Sequence, residues 1–129
     1  MRSLAAAFLL LVLACQPVLA SGSIECTSPD GDASLGLTIG SLPILAVVGA
    51  AIEADGKTWT LNGDGESALA VGQAYRTHDA MRIDFTDPNV ERVVAEVRLF
   101  SASEGKDMAT AGTVKVAGSG AWAVTCTGP

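Results

Sequence analysis

The hexapeptide MRIDFT, residues 81–86, decides the fold class of this chain. Its apolar residues Met81, Ile83 and Phe85 alternate with polar ones, which indicates a β-strand with one buried and one wet face. Outward from this strand, Gly, Ser, Asn and Asp interrupt the chain about every 8 to 12 residues, as they do in all-β domains. We therefore predict an antiparallel β-sandwich or small barrel of about seven strands.

The dipeptide Asp55-Gly56 predicts a tight hairpin in the first half of the domain. It lies between two strand-like runs, residues 44–54 and 57–61, and both of its residues suit the positive φ that such a turn requires. The longest apolar run outside the N-terminal segment, Leu42 to Ile52, has 11 residues. A membrane-spanning helix takes about 20, so this run is predicted to be a buried strand.

Residues 90–100 fit two interpretations. Apolar residues recur there at helical spacing, but residues 93–100 also alternate as a strand does. Their β-branched content favours a strand over residues 93–100, preceded by a helix-like turn. The polar residues 101–109 are predicted to form a loop, and a last hairpin turning at residues 118–120 is predicted to end the domain.

The first 20 residues have the layout of a secretory signal peptide. Arg2 gives a positive start, Leu4 to Leu13 is almost wholly apolar, and the small Ala20 precedes the expected cleavage point. The chain therefore divides into a signal peptide, residues 1–20, and a single exported domain, residues 21–129. We expect a periplasmic or secreted location.

A second interpretation of the leader involves Cys15. The segment VLAC, residues 12–15, resembles the lipobox at which bacterial lipoproteins are cut and acylated on cysteine. Ala14 fits that motif, whereas Val12 and Leu13 depart from its usual residues. In this interpretation a lipid anchor at Cys15 holds the domain on a tether of about ten residues. Neither interpretation places a transmembrane segment in the mature chain.

Two cysteines, Cys26 and Cys126, lie outside the leader. An exported chain meets an oxidising compartment, where an even pair of cysteines forms a disulfide. This pair is predicted to join the N-terminal and C-terminal strands. The loop that it closes corresponds to a stabilisation of at most about 4–5 kcal/mol in the chain-entropy model.

The exported chain is acidic. Once Arg2 is removed with the leader, 7 Lys and Arg remain against 14 Asp and Glu, a net charge of −7. This balance argues against nucleic-acid binding and against binding to anionic membrane surfaces, because both surfaces are negatively charged. It favours solubility and is compatible with a cationic partner.

Asn62, Asp64 and Glu66 are a weak candidate for a metal site. Their oxygens occupy alternate positions, the spacing with which calcium loops bring hard ligands together. An EF-hand would continue with glycine at position 67 and glutamate at position 73, where this chain has Ser67 and Gln73. The same dipeptides are common in ordinary hairpin turns, which is the simpler explanation.

The sequence contains no complete catalytic motif, and no catalytic residue is predicted. His78 is the one histidine, and its neighbour Asp79 would point to the opposite side of a strand. Asp84 and Glu96 could face each other across a hairpin, as the two acids of a glycosidase do. Arginines such as Arg98 share their faces, however, which favours a ladder of surface ion pairs.

Val94 and Phe100 are apolar residues on the charged face of the predicted strand 93–100, so they are candidates for a contact surface. A strand covered on both faces would explain them equally simply. No phosphate loop, dinucleotide fingerprint or zinc spacing occurs, and no cofactor is predicted. We expect a non-catalytic binding or envelope-structural module that recognises a protein partner. The alternatives are a small-ligand or calcium-binding domain, a lipid-anchored lipoprotein, and a small hydrolase.

Overall fold

Residues 22–129 form a closed nine-stranded barrel in a computed structural model, which describes this part of the chain. The strands follow one another around the barrel in chain order. They are β1 (Gly22–Thr27), β2 (Ala33–Ile39), β3 (Val47–Ala54), β4 (Lys57–Leu61), β5 (Ala68–Arg76), β6 (Ala80–Thr86), β7 (Val93–Glu104), β8 (Asp107–Val116) and β9 (Gly120–Thr127). The predicted all-β class is confirmed, whereas the strand count of about seven is wrong.

The leader predictions concern residues outside the described part of the chain. The signal peptide, residues 1–20, and the lipobox at Cys15 both precede Gly22. Within residues 22–129, no helix has the length and apolar character needed to cross a bilayer. The short helical element that is present there is a single 3₁₀ turn, Gly65–Ser67.

One parallel junction allows the barrel to close. Strand directions cannot alternate all the way around a ring of nine, because each antiparallel junction reverses direction and a closed ring needs an even number of reversals. The mismatch falls between β4 and β5, which pair in parallel through Thr60 with Ala68 and Leu61 with Leu69. The predicted antiparallel arrangement therefore holds at the other junctions, and β1 and β9 meet antiparallel.

The predicted disulfide is confirmed, and it lies at the junction where the barrel closes. Cys26 on β1 and Cys126 on β9 are direct cross-strand partners, with their Cα atoms 4.0 Å apart. This ladder is short, running from Glu25 opposite Thr127 to Thr27 opposite Thr125. Cys26 is buried in the core and Cys126 packs against it. The bond therefore joins the two ends of the sheet and contributes to the core.

Inward-facing side chains fill the barrel. Met81, Ile83 and Phe85 of β6 are buried and Arg82 between them is exposed, as the alternation in MRIDFT predicts. Other strands contribute further fully buried side chains, including Leu35, Leu37, Ile52, Leu69, Val97, Leu99 and Val114. A barrel of this size is filled by its own side chains, so binding surfaces are to be sought on its exterior and at its ends.

A β-bulge turns Val94 into the core. Phe85 pairs with Ala95 and Thr86 pairs with Val93, which leaves Val94 as an extra residue in β7. A single extra residue reverses the alternation of a strand. Val94 is therefore only 7% exposed, whereas its neighbour Val93 lies on the outside. Val94 takes no part in a contact surface, contrary to the prediction.

Two further predictions about strand limits are corrected. The apolar run Leu42–Ile52 is not one buried strand, because β3 begins at Val47 and residues 40–46 form an exposed loop. Residues 101–109 are not a loop, because β7 and β8 continue through them to a two-residue turn at Gly105-Lys106. The strand prediction for residues 93–100 is confirmed. So is the hairpin at Asp55-Gly56, where φ is 53° and 68°.

Loss of the disulfide is expected to destabilise the barrel strongly. A Cys26→Ala/Cys126→Ala variant should lose up to about 4–5 kcal/mol of unfolding free energy, because the closing loop is long. Urea unfolding of the variant, and of the parent chain with and without a reductant, measures this. Intact mass gives the control, since the oxidised parent should be about two daltons lighter than its reduced form. An unfolding midpoint that does not respond to reductant would contradict the prediction.

Gly112 allows β7 and β8 to approach each other closely. It lies opposite Leu99, and a Cβ added there would overlap the carbonyl oxygen of Arg98 and come within 2.9 Å of the Leu99 Cα. Both neighbours are backbone atoms, so neither can rotate away. At Gly36 an added Cβ would meet only the flexible end of the Glu25 side chain, at 3.1 Å.

The two glycines are therefore expected to respond differently to alanine. Gly112→Ala should lower the unfolding free energy by about 2–4 kcal/mol, since the backbones must separate. Gly36→Ala is the matched control and should change it by about 0.5 kcal/mol or less. Urea denaturation of both variants and of the parent chain measures these changes in unfolding free energy. Equal effects at the two positions would refute the steric explanation.

Candidate functional site

The strand directions assign the turns to two opposite ends of the barrel. The first, which we call the acidic end, carries residues 28–32, 55–56, 87–92 and 117–119. The second, which we call the terminal end, carries residues 40–46, 77–79 and 105–106 together with Gly22 and residues 128–129. The turns of the acidic end contain five carboxylates and one arginine, whereas those of the terminal end contain one carboxylate and one lysine. Glu104 and Asp107 flank the 105–106 turn and add two carboxylates to the terminal end, so the contrast in charge applies to the turns themselves.

Two aspartates and a tryptophan line one cleft at the acidic end. Its volume is about 310 Å³, and it is lined by Asp32, Asp55, Gly56 and Trp122. Asp32 comes from the turn before β2 and Asp55 from the β3–β4 turn, while Trp122 lies near the start of β9. Carboxylates attract a cation, and the face of an indole ring binds one through its quadrupole. The arrangement therefore suits a positively charged group.

Trp122 is positioned by its own strand. Its side chain is half-buried and packs against the core, so one part of the indole is fixed and another part reaches the cleft. A Cβ on Gly120 would lie only 2.9 Å from Cζ2 of this ring, so glycine at that position leaves the space that the indole occupies. The second tryptophan, Trp59, is buried.

A neighbouring cleft extends the acidic surface. It has a volume of about 320 Å³ and shares Asp32 and Gly56 with the first cleft. Glu53 and Lys57, on either side of the β3–β4 turn, also line it. The ion pairs found within residues 22–129 lie elsewhere, on the outer face of β6, β7 and β8. The carboxylates of the two clefts are thus available to a ligand.

Asp87 organises another turn of the acidic end. Its Oδ1 accepts hydrogen bonds from the backbone N–H groups of Glu91, at 2.9 Å, and Arg92, at 2.8 Å. These bonds, with the Arg92 bond as the larger cause, hold the pKa of the Asp87 carboxyl below its usual range. Inside this turn Val90 takes a φ of 59°, which is unusual for a β-branched residue.

The predicted calcium ligands lie on an exposed loop between β4 and β5. Asn62 takes a φ of 56°, and Asp64 precedes the 3₁₀ turn without a side-chain hydrogen bond to it. Asn62, Asp64 and Glu66 are all exposed. Among residues 22–129, no group of three or more His, Cys, Asp and Glu side chains is placed to hold a metal ion. Because Asn62 belongs to none of these types, calcium binding here stays a prediction.

His78 occupies an exposed turn between β5 and β6. Thr77 makes the hydrogen bonds of this turn, since its N–H donates to the Ala80 carbonyl at 2.8 Å and its Oγ1 accepts from the Ala80 N–H at 3.1 Å. The same hydroxyl donates to Asp79 Oδ1 at 3.2 Å. No side-chain hydrogen bond to His78 is found within the described residues, so the geometry gives a His78-based hydrolase no support.

Asp84 and Glu96 form the predicted ladder of ion pairs. They are cross-strand partners, and Nη2 of Arg98 lies 2.7 Å from Asp84 Oδ1 and 3.2 Å from Glu96 Oε1. Lys115 Nζ lies 2.8 Å from Glu96 Oε2. Arg98 also donates to the carbonyls of Ile83 and Val97. Both acids are bound to cations, so they are not arranged as a free carboxylate pair for glycoside hydrolysis.

Phe100 remains a candidate for a contact surface, but without Val94. It is 56% exposed on the outer face of β7, between Ala80 on β6 and Ala111 on β8. The cleft with Asp32, Asp55 and Trp122 is a site that sequence reasoning missed. Trp122 has the phase of a core residue, and no local signal shows that barrel closure brings it to two distant turns.

Comparisons with protein-family models, with curated proteins and with solved structures found no significant match. A function for this chain must therefore be inferred from its own clefts, charges and surfaces. Of these, the cleft lined by Asp32, Asp55, Gly56 and Trp122 brings two aspartates and an aromatic side chain to one space.

The Asp87 carboxyl is expected to titrate below the ordinary aspartate midpoint of about 3.9. Its lowered pKa means that its contribution to stability is present above that value and is lost as the pH falls through the folded-state pKa. NMR titration of the side-chain carboxyl measures this directly. Asp87→Asn is the control, because the stability gap between the parent and this variant should narrow in acid. A midpoint at or above 3.9 would disprove the assignment.

Proposed function

We propose that this chain is an exported, non-catalytic binding module that receives basic side chains of a protein partner at its acidic end. The observation that carries the proposal is the cleft that Asp32, Asp55 and Trp122 line together. A lysine or arginine side chain would find there both charge complementarity and an aromatic face.

The charge distribution supports this proposal. The net charge of the exported chain is −7, and the turns of the acidic end hold five of its 14 carboxylates. A concentration of one sign of charge around a cleft attracts ligands of the opposite sign and accelerates their association. The neighbouring cleft adds Glu53, so a basic segment lying across both clefts would meet a third carboxylate.

The shape of the site favours a protein partner over a free small molecule. Small-molecule pockets usually enclose most of the ligand and are lined mainly by apolar side chains. Here carboxylates, a glycine and one ring line a cleft at the rim of the barrel, while the interior is filled. A side chain presented from a neighbouring surface fits such a rim better than an enclosed ligand does.

Tryptophan fluorescence tests the proposal with a short peptide rich in lysine and arginine as the probe. Because Trp59 is buried, a change in emission should come mainly from Trp122. An Asp32→Asn/Asp55→Asn variant should bind the peptide about tenfold more weakly, which corresponds to about 1.4 kcal/mol. Added salt should weaken binding to the parent chain as well.

A matched control separates a defined site from general attraction. Glu104→Gln/Asp107→Asn removes the same charge from the β7–β8 hairpin at the terminal end and should change peptide affinity by about twofold or less. Equal weakening by both pairs, or binding without a change in emission, would overturn the proposal. A pull-down from the periplasm or medium with parent and Asp32→Asn/Asp55→Asn baits would then identify partners whose recovery depends on the cleft.

A further inference from the structure

The terminal end of the barrel presents an apolar segment, which we call the apolar loop: residues 40–46 of the β2–β3 connection and the first two residues of β3, Val47 and Val48. Three of its aliphatic side chains are largely exposed: Leu42 by 58%, Ile44 by 74% and Val48 by 58%. The N–H of Gly40 donates to the carbonyl of Ala46 at 2.8 Å and closes the base of the loop. Val48 is the extra residue of a bulge, since Thr38 pairs with Gly49 and Ile39 with Val47. The bulge thus directs Val48 outward, while Leu42 and Ile44 lie on the loop that this hydrogen bond closes.

The apolar loop lies within a long stretch that carries no charge. From Ala33 to Ile52 the sequence contains no Asp, Glu, Lys, Arg or His. The carboxylates of the turns are concentrated at the opposite end of the barrel. The terminal end is therefore apolar at this loop, although Glu104 and Asp107 lie at its β7–β8 hairpin, and the turns of the other end are anionic. Such a distribution would orient the barrel with this loop toward an apolar phase.

The path of the chain indicates what this apolar phase is. Gly22 pairs with Ile39, directly before the apolar loop, so the described part of the chain begins beside this loop. Cys15, the predicted site of an alternative lipid anchor, is seven residues earlier. Seven extended residues reach at most about 25 Å. An anchor at that cysteine would hold the terminal end, with its apolar loop, against the bilayer.

We propose that the apolar loop docks on a lipid bilayer surface, with Leu42 and Ile44 entering the interface and the acidic end facing the aqueous phase. Apolar side chains that enter the interface and a lipid anchor are two signals that together give stable attachment. The net charge of −7 favours a zwitterionic surface over an anionic one. A second copy of the chain is a poorer occupant, because three side chains of one loop offer far less than the roughly 800 Å² per partner of a stable interface.

A tryptophan placed in the loop reports on this docking. The chain from residue 21 to 129, which contains the whole barrel, is prepared with Ile44→Trp. Because it lacks Cys15 and the loop alone gives weak, reversible attachment, it is mixed with a large excess of phosphatidylcholine vesicles in this and the following measurement. Its emission should shift to shorter wavelength and be quenched by brominated lipid. Val90→Trp is the matched control, because Val90 is 64% exposed at the acidic end. Its emission should not respond to vesicles.

A second measurement avoids dependence on the probe. Vesicle flotation of the parent chain should recover at least about fivefold more protein than flotation of Leu42→Asp/Ile44→Asp, since charged side chains oppose entry into the interface. Thermal unfolding of each variant checks that the barrel is intact. Equal responses of the two tryptophan probes, or no response from Ile44→Trp together with no flotation of the parent, would overturn the proposal. A shift that depends on protein concentration without lipid would show self-association instead. None of these outcomes depends on the peptide-binding cleft.

Discussion

The covalent link between β1 and β9 is the constraint on which the rest of the barrel depends. Every other junction joins strands that are consecutive in the chain, whereas this one joins residues separated by 100 positions across a short ladder. Bringing such distant residues together carries a large loop-closure entropy. Without closure both strands would become sheet edges with unpaired backbone groups, and the core side chains of Ile24 and Val124 would lose their cover.

Closure also determines which residues meet at the acidic end. Trp122 lies near the C-terminal end of the chain, whereas Asp32 and Asp55 lie in its first half. The cleft forms because β9 packs beside β1, which brings the start of β9 to the same rim as the two turns. The bond that stabilises the barrel is thus also the bond that assembles the candidate binding site. The apolar loop, by contrast, is built within the local β2–β3 connection.

Local patterns predicted those parts of the structure that local physics controls. Alternation identified β6, and the Asp-Gly dipeptide identified its hairpin. The disulfide is a long-range contact, and it was predictable because two cysteines lie outside the leader. The wrong predictions concern features that a single inserted residue or the overall topology of the sheet determines. A bulge reverses the phase of β7 at Val94, and residues 101–109 continue as strands although their apolar pattern is weak. The parallel junction follows from closing nine strands, which no local pattern reveals.

The first and last residues that the structure describes, Gly22 and Pro129, lie side by side. Gly22 packs so closely on Pro129 that a Cβ at position 22 would lie 2.6 Å from the proline Cγ. A polypeptide that enters and leaves a domain at one point can be spliced into a surface turn of another protein without forcing that host's backbone apart. Evolution, or an engineer, can therefore carry this barrel as an insert, or open it at Gly105-Lys106 and join residues 22 and 129 into a circular permutant.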